Sequence, residues 1–314
     1  MTDLTPSTTE QAEIGIIGGS GLYRLDALED VHEIALPNPY GVPSDDILVG
    51  TLAGRRVAFL ARHGRGHRLT PSEIPVAANI YALKSLGIRE VISISAVGSL
   101  REDFAPGDLV VPDQIVDRTR GHRTTSFFGG GVVAHVSLAD PYCSRLRPLA
   151  AKAARQATQA QVHDAGTYCC MEGPQFSTRA ESNLYRSWGM DIIGMTAIPE
   201  VKLAREAELC YVGLALVTDY DCWRAETGEA DVTAGLVAEV MERNIAAAKD
   251  TLVRLIETLD ADPVCSCQEA LSDAIITEPS VVPKETRVRT NAVSGRYLPL
   301  DVADAQDSIA PNSR

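Results

Sequence analysis

Short apolar runs alternate with longer amphipathic stretches along most of the chain. "EIGIIG" (13–18) is apolar and then turns into glycines. "DILVGTL" and "RRVAFLA" flank Ala53 and Gly54, a hairpin pattern. Residues 71–87 read as helix after Pro75, closing at Gly87. "EVISISAVGS" (90–99) predicts a strand running into a Gly-Ser turn, and 108–117 a strand-like segment broken at Pro112. The second half repeats the theme. A helix is predicted over 144–160, a strand at "GTYCCME", a helix at "TRAESNLYRSWG" closing at Gly189, and a strand at "DIIGMT". "PEVKLAREAEL" follows as a helix with Pro199 at its first position. "CYVGLALVTDYDCW" (210–223) starts as a buried strand and ends in Asp219 and Asp221, ahead of a long helix over about 231–259. Strands alternating with helices predict a layered α/β fold with a largely parallel central sheet. Residues 13–278 read as a single domain, and 1–12 and 286–314 as polar tails.

In such sheets ligands gather at the carboxyl ends of the strands. The strand ends here carry "GGSG", "RHGRGH", "SAVGS", "MEGPQF", "MT" and "TDYD" in chain order. Anion donors come first and acids last. That predicts a divided site, with one end for a phosphate-like group and the other for a group bearing N–H or ring nitrogens. Burying a carboxylate costs several kcal/mol unless something pairs with it, so two acids at a strand mouth call for a partner.

The 314 residues suit one large α/β domain or two smaller ones, and 45% hydrophobic residues support a sizeable core. The net charge of -13 and the lack of a long basic stripe disfavour nucleic acid as a partner. The basic island "RHGRGHR" (62–68) then suits a small anion. The polar start has no apolar signal core, and no run of about 18 apolar residues predicts a membrane span. A cytoplasmic protein is expected. The seven cysteines are scattered, so buried, reduced thiols are expected rather than a disulfide framework. Cys265 and Cys267 have ligand-type spacing, but no Cys or His follows them, so no metal is expected. A redox-active Cys265/Cys267 pair is the alternative.

"GIIGGSGLY" invites a dinucleotide-binding reading. Arg24 stands where the third glycine of G-x-G-x-x-G belongs, and no second βαβ half is evident. No Gly-Lys-Ser/Thr occurs, which excludes a P-loop. The glycines still let main-chain N–H groups face an anion, with the Ser20 hydroxyl beside them. "ARHGRGH" supplies Arg62, His63, Arg65 and His67, with His63 as a hydrogen-bond donor. "SAVGS" adds Ser95 and the main chain at Ala96, and "GMTAIPE" adds Thr196 with helix-start amides beyond it. Converging hydroxyls, an Arg, a His and amides make a phosphate site.

These segments resemble the methylthioadenosine phosphorylases of the purine nucleoside phosphorylase superfamily over roughly residues 14–278. The resemblance runs through "GIIGGSGL", "PYGVPSD", "LARHGRGH", "SAVGSLREDFAPGDLVVPDQIVDRT", "MEGPQFSTRAES", "GMTAIPEVKLAREAELCY" and "TDYDCW". It implies a phosphorylase/hydrolase-like three-layer α/β/α fold around a mixed, mostly parallel β-sheet. It implies a pentosyltransferase that cleaves 5'-deoxy-5'-methylthioadenosine with inorganic phosphate as co-substrate and needs no metal or organic cofactor. Phosphate contacts then fall on Ser20, Arg62, His63, Ser95, Ala96 and Thr196. Nucleoside contacts fall on Met195, Phe176, Asp219, Tyr220 and Asp221, although strand alternation turns Tyr220 to the other face. Ser177 falls where specificity is tuned, and Ala234 where a bulkier Val lines the 5'-substituent pocket. Ser20 and Ser95 stand where Thr is common and keep the hydroxyl. His135 matches a position that reaches into a neighbouring subunit's site, which implies a homotrimer or a dimer of trimers.

The chemistry suits these residues. Cleaving the N-glycosidic bond puts positive charge on the sugar and negative charge on the base. Phosphate meets the first, and Asp219, as the donor to N7, meets the second with Asp221 assisting. Glu172 and Arg179 are read as braces. A 6-oxopurine nucleoside is the rival substrate. Its oxygen wants a donor, and relatives for such purines tend to place Asn where Asp219 stands. A nicotinamide-dependent oxidoreductase and a non-catalytic nucleotide-binding or assembly protein are the readings from other classes.

Overall fold

The computed structural model describes residues 11–19, 27–224 and 233–300. Strand β1 (Ile14–Gly18) is buried throughout. On one side β1 pairs parallel with β4 (Arg55–Ala61), which forms a hairpin with β3 (Ile47–Leu52). Ala53 and Gly54 turn that hairpin with φ of 50° and 73°, the left-handed pair that matches strand twist. An edge strand β2 (Glu29–Ile34) pairs antiparallel with β3. On the other side β1 pairs parallel with β5 (Glu90–Ser99).

β5 organises the remainder. β11 (Cys210–Asp219) runs parallel along it, and β10 (Ile192–Gly194) pairs antiparallel with its end. Beyond β10 come β9 (Thr167–Met171) and β7 (Gln114–Arg118), both in parallel register. β6 (Leu109–Val110) pairs antiparallel with β11 and parallel with β8 (Val162–His163). The sheet is therefore mixed and mostly parallel. The expected break at Pro112 separates β6 from β7.

Alternation along the strands divides the core in two. Ile14, Ile16, Val57, Phe59, Ile92, Ile94, Val212 and Leu214 face α2 (Leu146–Ala157) and α5 (Ala234–Thr258). Ile17, Ala58, Leu60, Val91, Tyr211 and Ala215 face α1 (Val76–Ser85) and α4 (Ala197–Glu206). Each fully buried Ile or Leu contributes about 1.5–3 kcal/mol, so both layers are held by the sheet's period-two pattern. α3 (Arg179–Ser187) lies beside β9 and β10 through Tyr185.

The expected C-terminal tail is corrected. Residues 284–294 form helix α6 (Lys284–Ser294), which packs on α1 and buries Thr286, Thr290, Val293 and Ser294. Leu298 beyond it is 1% exposed. The buried face is mostly hydroxyl, and Thr290 Oγ1 and Ser294 Oγ bond back to carbonyls one turn earlier, at 2.9 and 3.3 Å. Such a face leaves no apolar period to read. No described helix is long and apolar enough to cross a membrane.

Candidate active site

A cavity of about 750 Å³ opens where β1, β4, β5, β10 and β11 end. Arg62, His63, Ser95, Ala96, Met195, Thr196, Phe176, Asp219, Asp221 and Ala234 all line it. Ser20 lies outside the described residues; its neighbour Gly19 lines the cavity. The structure thus brings most of the sequence-selected residues together and sorts them into two ends.

At one end, Arg62 follows β4 directly and is 1% exposed. Its Nε donates to Glu200 Oε1 at 2.5 Å and its Nη2 to Glu200 Oε2 at 3.2 Å. Nη1 donates to the Ile94 carbonyl at 2.7 Å, and Nη2 to Ser93 Oγ at 2.6 Å. Burial works against the guanidinium charge, and the Glu200 carboxylate more than offsets it, so its pKa lies above the ordinary value. Ser93 and Tyr211 hydroxyls, both at 2.9 Å, complete the Glu200 shell. Glu200 went unremarked in the sequence because "PEVKL" reads as an ordinary amphipathic helix start.

His63 is held in one tautomer. Its Nδ1 lies 2.8 Å from the Leu69 carbonyl, which only accepts, so Nδ1 carries the proton. Burial first, then the Arg62 and His67 charges, hold its pKa down at about 4. The neutral ring therefore offers Nε2 as an acceptor rather than a donor. His67 stacks on His63 with ring centroids 4.1 Å apart. Arg65 leaves the cavity altogether, ion-paired with Glu33 at 2.8 Å and Asp45 at 3.1 Å. The glycines on either side of it turn through positive φ, which throws Arg65 outward.

Thr196 stands just before α4, whose first turn is broken by the extended Ile198 (φ -104°, ψ 127°), and its side chain caps nothing. A buried hydroxyl on the cavity wall that caps nothing is suited to an anion. Gly194 precedes it on β10. A Cβ there would stand 1.9 Å from Tyr168 Oη, so only glycine lets this buried ring lie beneath the cavity wall. Arg123 was missed in the sequence, where nothing sets it apart in "RTRGHRTT". It is buried and donates to the Met195 and Ile198 carbonyls, both at 2.6 Å, pinning the turn into α4. Glu172 is the brace expected of it, holding Arg123 Nε at 3.2 Å.

At the other end, β11 delivers the acids. A bulge at Thr218 shifts the register so that Asp219 pairs with Gly98 of β5. A Cβ at Gly98 would stand 2.9 Å from Asp219 Oδ1. Asp219 Oδ2 accepts from Thr218 Oγ1 at 2.7 Å, and Oδ1 accepts from the Asp221 amide at 2.8 Å. Asp221 sits at φ 50°, a conformation Asp tolerates better than most residues. That turn brings both carboxyls to one cavity. Burial raises the Asp219 pKa, against the pull of its two donors. Burial, with the Asp219 charge adding, pushes Asp221 up to about 6; the nearby Ser182 and Ser177 hydroxyls pull the other way. Asp221 Oδ2 is buried without a hydrogen-bond partner.

Three expected contacts lie off the cavity wall. Tyr220 turns away, edge-on to Trp223 at 5.8 Å, so a direct nucleoside contact from it is corrected. Ser177 sits behind the wall, its Oγ 3.6 Å from Met171 Sδ. His135 lines a separate cleft of about 460 Å³ with Asp140, Arg205 and Cys267. Phe176 is 43% exposed at the cavity mouth, placed to stack on a flat ligand. Val237, one turn along α5 from Ala234, lines the same wall and supplies bulk that Ala234 lacks.

A buried anion end and an acid end across one cavity, on a mixed α/β sheet, define a nucleoside-phosphorylase type of site. The chain belongs to the phosphorylase superfamily, whose sequence model matches residues 13–257. It is 51% identical over 285 residues to the S-methyl-5'-thioadenosine phosphorylase of Geobacter sulfurreducens, covering 91% of this chain and 99% of that protein. A methylthioadenosine phosphorylase structure from an antarctic soil metagenomic library superposes with a TM-score of 0.85 at 48% identity, covering 90% of this chain and 99% of that one. A mutant adenosine/methylthioadenosine phosphorylase from Schistosoma mansoni, in complex with methylthioadenosine, superposes with a TM-score of 0.77 at 34% identity, covering 83% and 96%.

Proposed function

We propose that the chain catalyses phosphorolysis of the N-glycosidic bond of 5'-deoxy-5'-methylthioadenosine, as a pentosyltransferase. The products are adenine and 5-methylthioribose 1-phosphate. The relatives' names and the bound methylthioadenosine of the Schistosoma structure support this substrate. The observation that carries the mechanism is the unpartnered Asp221 Oδ2 in a cavity whose far end is built for an anion.

The residues divide the work as follows. Phosphate sits against Thr196, Ser95, Ser20 and the main chain at Ala96, in the field of Arg62. His63 Nε2, on a neutral ring, accepts a hydrogen bond from a protonated phosphate oxygen and orients it. The C1'–N9 bond breaks with its electron pair moving into the purine. A phosphate oxygen then forms the bond to C1'. Asp221, an acid with a pKa of about 6, donates to N7. Asp219, whose oxygens already act as acceptors, takes the 6-amino group. This reverses the roles the sequence suggested for the pair. An acceptor opposite the 6-position favours an amino purine over a 6-oxopurine. Phe176 covers the base, Met195 lies on the ribose side, and Ala234 with Val237 form the apolar wall for the methylthio group. Ser177 tunes specificity through Asp221.

The reaction needs inorganic phosphate as co-substrate and draws on no cofactor. The proposal includes a homotrimer or a dimer of trimers, in which His135 serves a neighbour's site, and a cytoplasmic setting. The test is adenine release from methylthioadenosine with and without phosphate, alongside inosine and methylthioinosine. Strictly phosphate-dependent adenine release is expected. Release without phosphate, or faster inosine turnover, would overturn the reading.

A further inference from the structure

β11 carries a second chemical cluster at its other end. Cys210 opens the strand, Cys143 precedes α2, and Cys265 and Cys267 follow α5. The four Sγ atoms lie within 4.8 Å of one another, and Cys143 and Cys265 Sγ are 3.6 Å apart. Four thiolates around zinc at about 2.3 Å stand about 3.8 Å apart along the edges of a tetrahedron. The separation also exceeds a sulfur–sulfur bond of about 2.05 Å. The chain's spacing hid this arrangement, because two of the four sulfurs arrive from elements far apart in sequence.

The surroundings fit a charged centre. Four thiolates with one divalent ion leave a net charge of two negative units. Two guanidiniums face it. Arg205 Nη1 donates to Cys267 Sγ at 3.5 Å. Arg145 pairs with Glu90 through Nη2 and also faces Cys210, with its Nε and Nη1 buried without a well-formed hydrogen bond. The amides of Arg145 and Leu146, at the start of α2, face the Cys143 sulfur. N–H donors around ligating sulfur are the outer shell such centres use. Three ligands are buried, and Cys265 is partly exposed. The cleft that ends at Cys267 gives an ion a way in.

We propose that Cys143, Cys210, Cys265 and Cys267 form a structural site for one soft divalent ion of the zinc type. Binding transfers the four thiol protons to solvent and closes the coordination sphere, with no position left for substrate. The ion fastens the segment after α5 to the start of β11. The site is separate from the cavity, so it does not depend on the proposed reaction.

The test uses the full chain purified with a thiol reductant and no chelator. Elemental analysis is expected to find one zinc per chain, released by a mercurial thiol reagent. Cys267→Ser is expected to lose the ion, whereas Cys169→Ala, on β9, keeps it. Should Cys267→Ser fail to fold, cobalt added to metal-stripped wild-type chain reads the same site. Intense thiolate-to-cobalt absorption is expected, with Tm rising by at least about 5 °C. Folded protein with all seven thiols titratable, and neither zinc uptake nor a cobalt spectrum, would overturn the proposal. So would a mass four hydrogens lighter, the mark of two disulfides.

Discussion

The two ends of the cavity handle buried charge in opposite ways. Arg62 is matched at once by Glu200, with Ser93, Tyr211 and the Ile94 carbonyl completing the set. Asp221 is left with an oxygen that makes no well-formed hydrogen bond, with only the Ser182 and Ser177 hydroxyls near it and a second carboxyl beside it. A fully matched charge holds geometry, and an unmatched one is ready to act on a ligand. The difference separates residues that shape the site from residues that react in it.

The largest effect should come from breaking the matched pair. Glu200→Gln leaves the Arg62 charge buried and uncompensated, and is expected to cost about 3–5 kcal/mol in denaturant unfolding. Arg62→Met combined with Glu200→Gln should recover part of that loss. A single variant as stable as wild type would dissolve the contrast between the two ends.

Next comes the unmatched acid. Asp221→Asn is expected to lower kcat about 100-fold, since an amide donates a hydrogen bond but no proton. Its stability should move the other way. The folded chain holds the Asp221 proton more tightly than the unfolded chain, with the pKa raised from 3.8 to about 6. The stability penalty therefore grows as pH rises through that window and is complete above it. Asp221→Asn should be more stable than wild type by about 2–3 kcal/mol at pH 8 and equal to it near pH 4. Equal stability at both pH values would mean that Asp221 is not strained by burial.

Smaller effects test the walls. Thr196→Val should raise the KM for phosphate about tenfold, with little change in the nucleoside KM. Equal changes in both would move Thr196 out of the anion end. Phe176→Ala should raise the nucleoside KM about threefold, because a half-exposed ring contributes about 0.5–1.5 kcal/mol in stacking. No change would leave the mouth without a role in base binding.

Much of this was legible in the chain. Strand runs ending in Gly, Ser, Arg or Asp gave both the sheet and the rim of the cavity, because a buried parallel strand and its functional end are adjacent in sequence. Three kinds of feature escaped. α6 buries mostly hydroxyl side chains, with Val293 as the apolar exception. Glu200 and Arg123 gain meaning only from partners distant in sequence. The direction of the His63 proton depends on one carbonyl, Leu69, that no pattern announces.

The most direct measurement is kcat/KM against pH for wild type and Asp221→Asn, each with saturating phosphate. The ratio of wild type to variant should be flat below about pH 6 and fall about tenfold per pH unit above it, as the free acid loses its proton. A ratio that rises above pH 6 would mean that Asp221 works as a carboxylate, and would return the donor's role to Asp219.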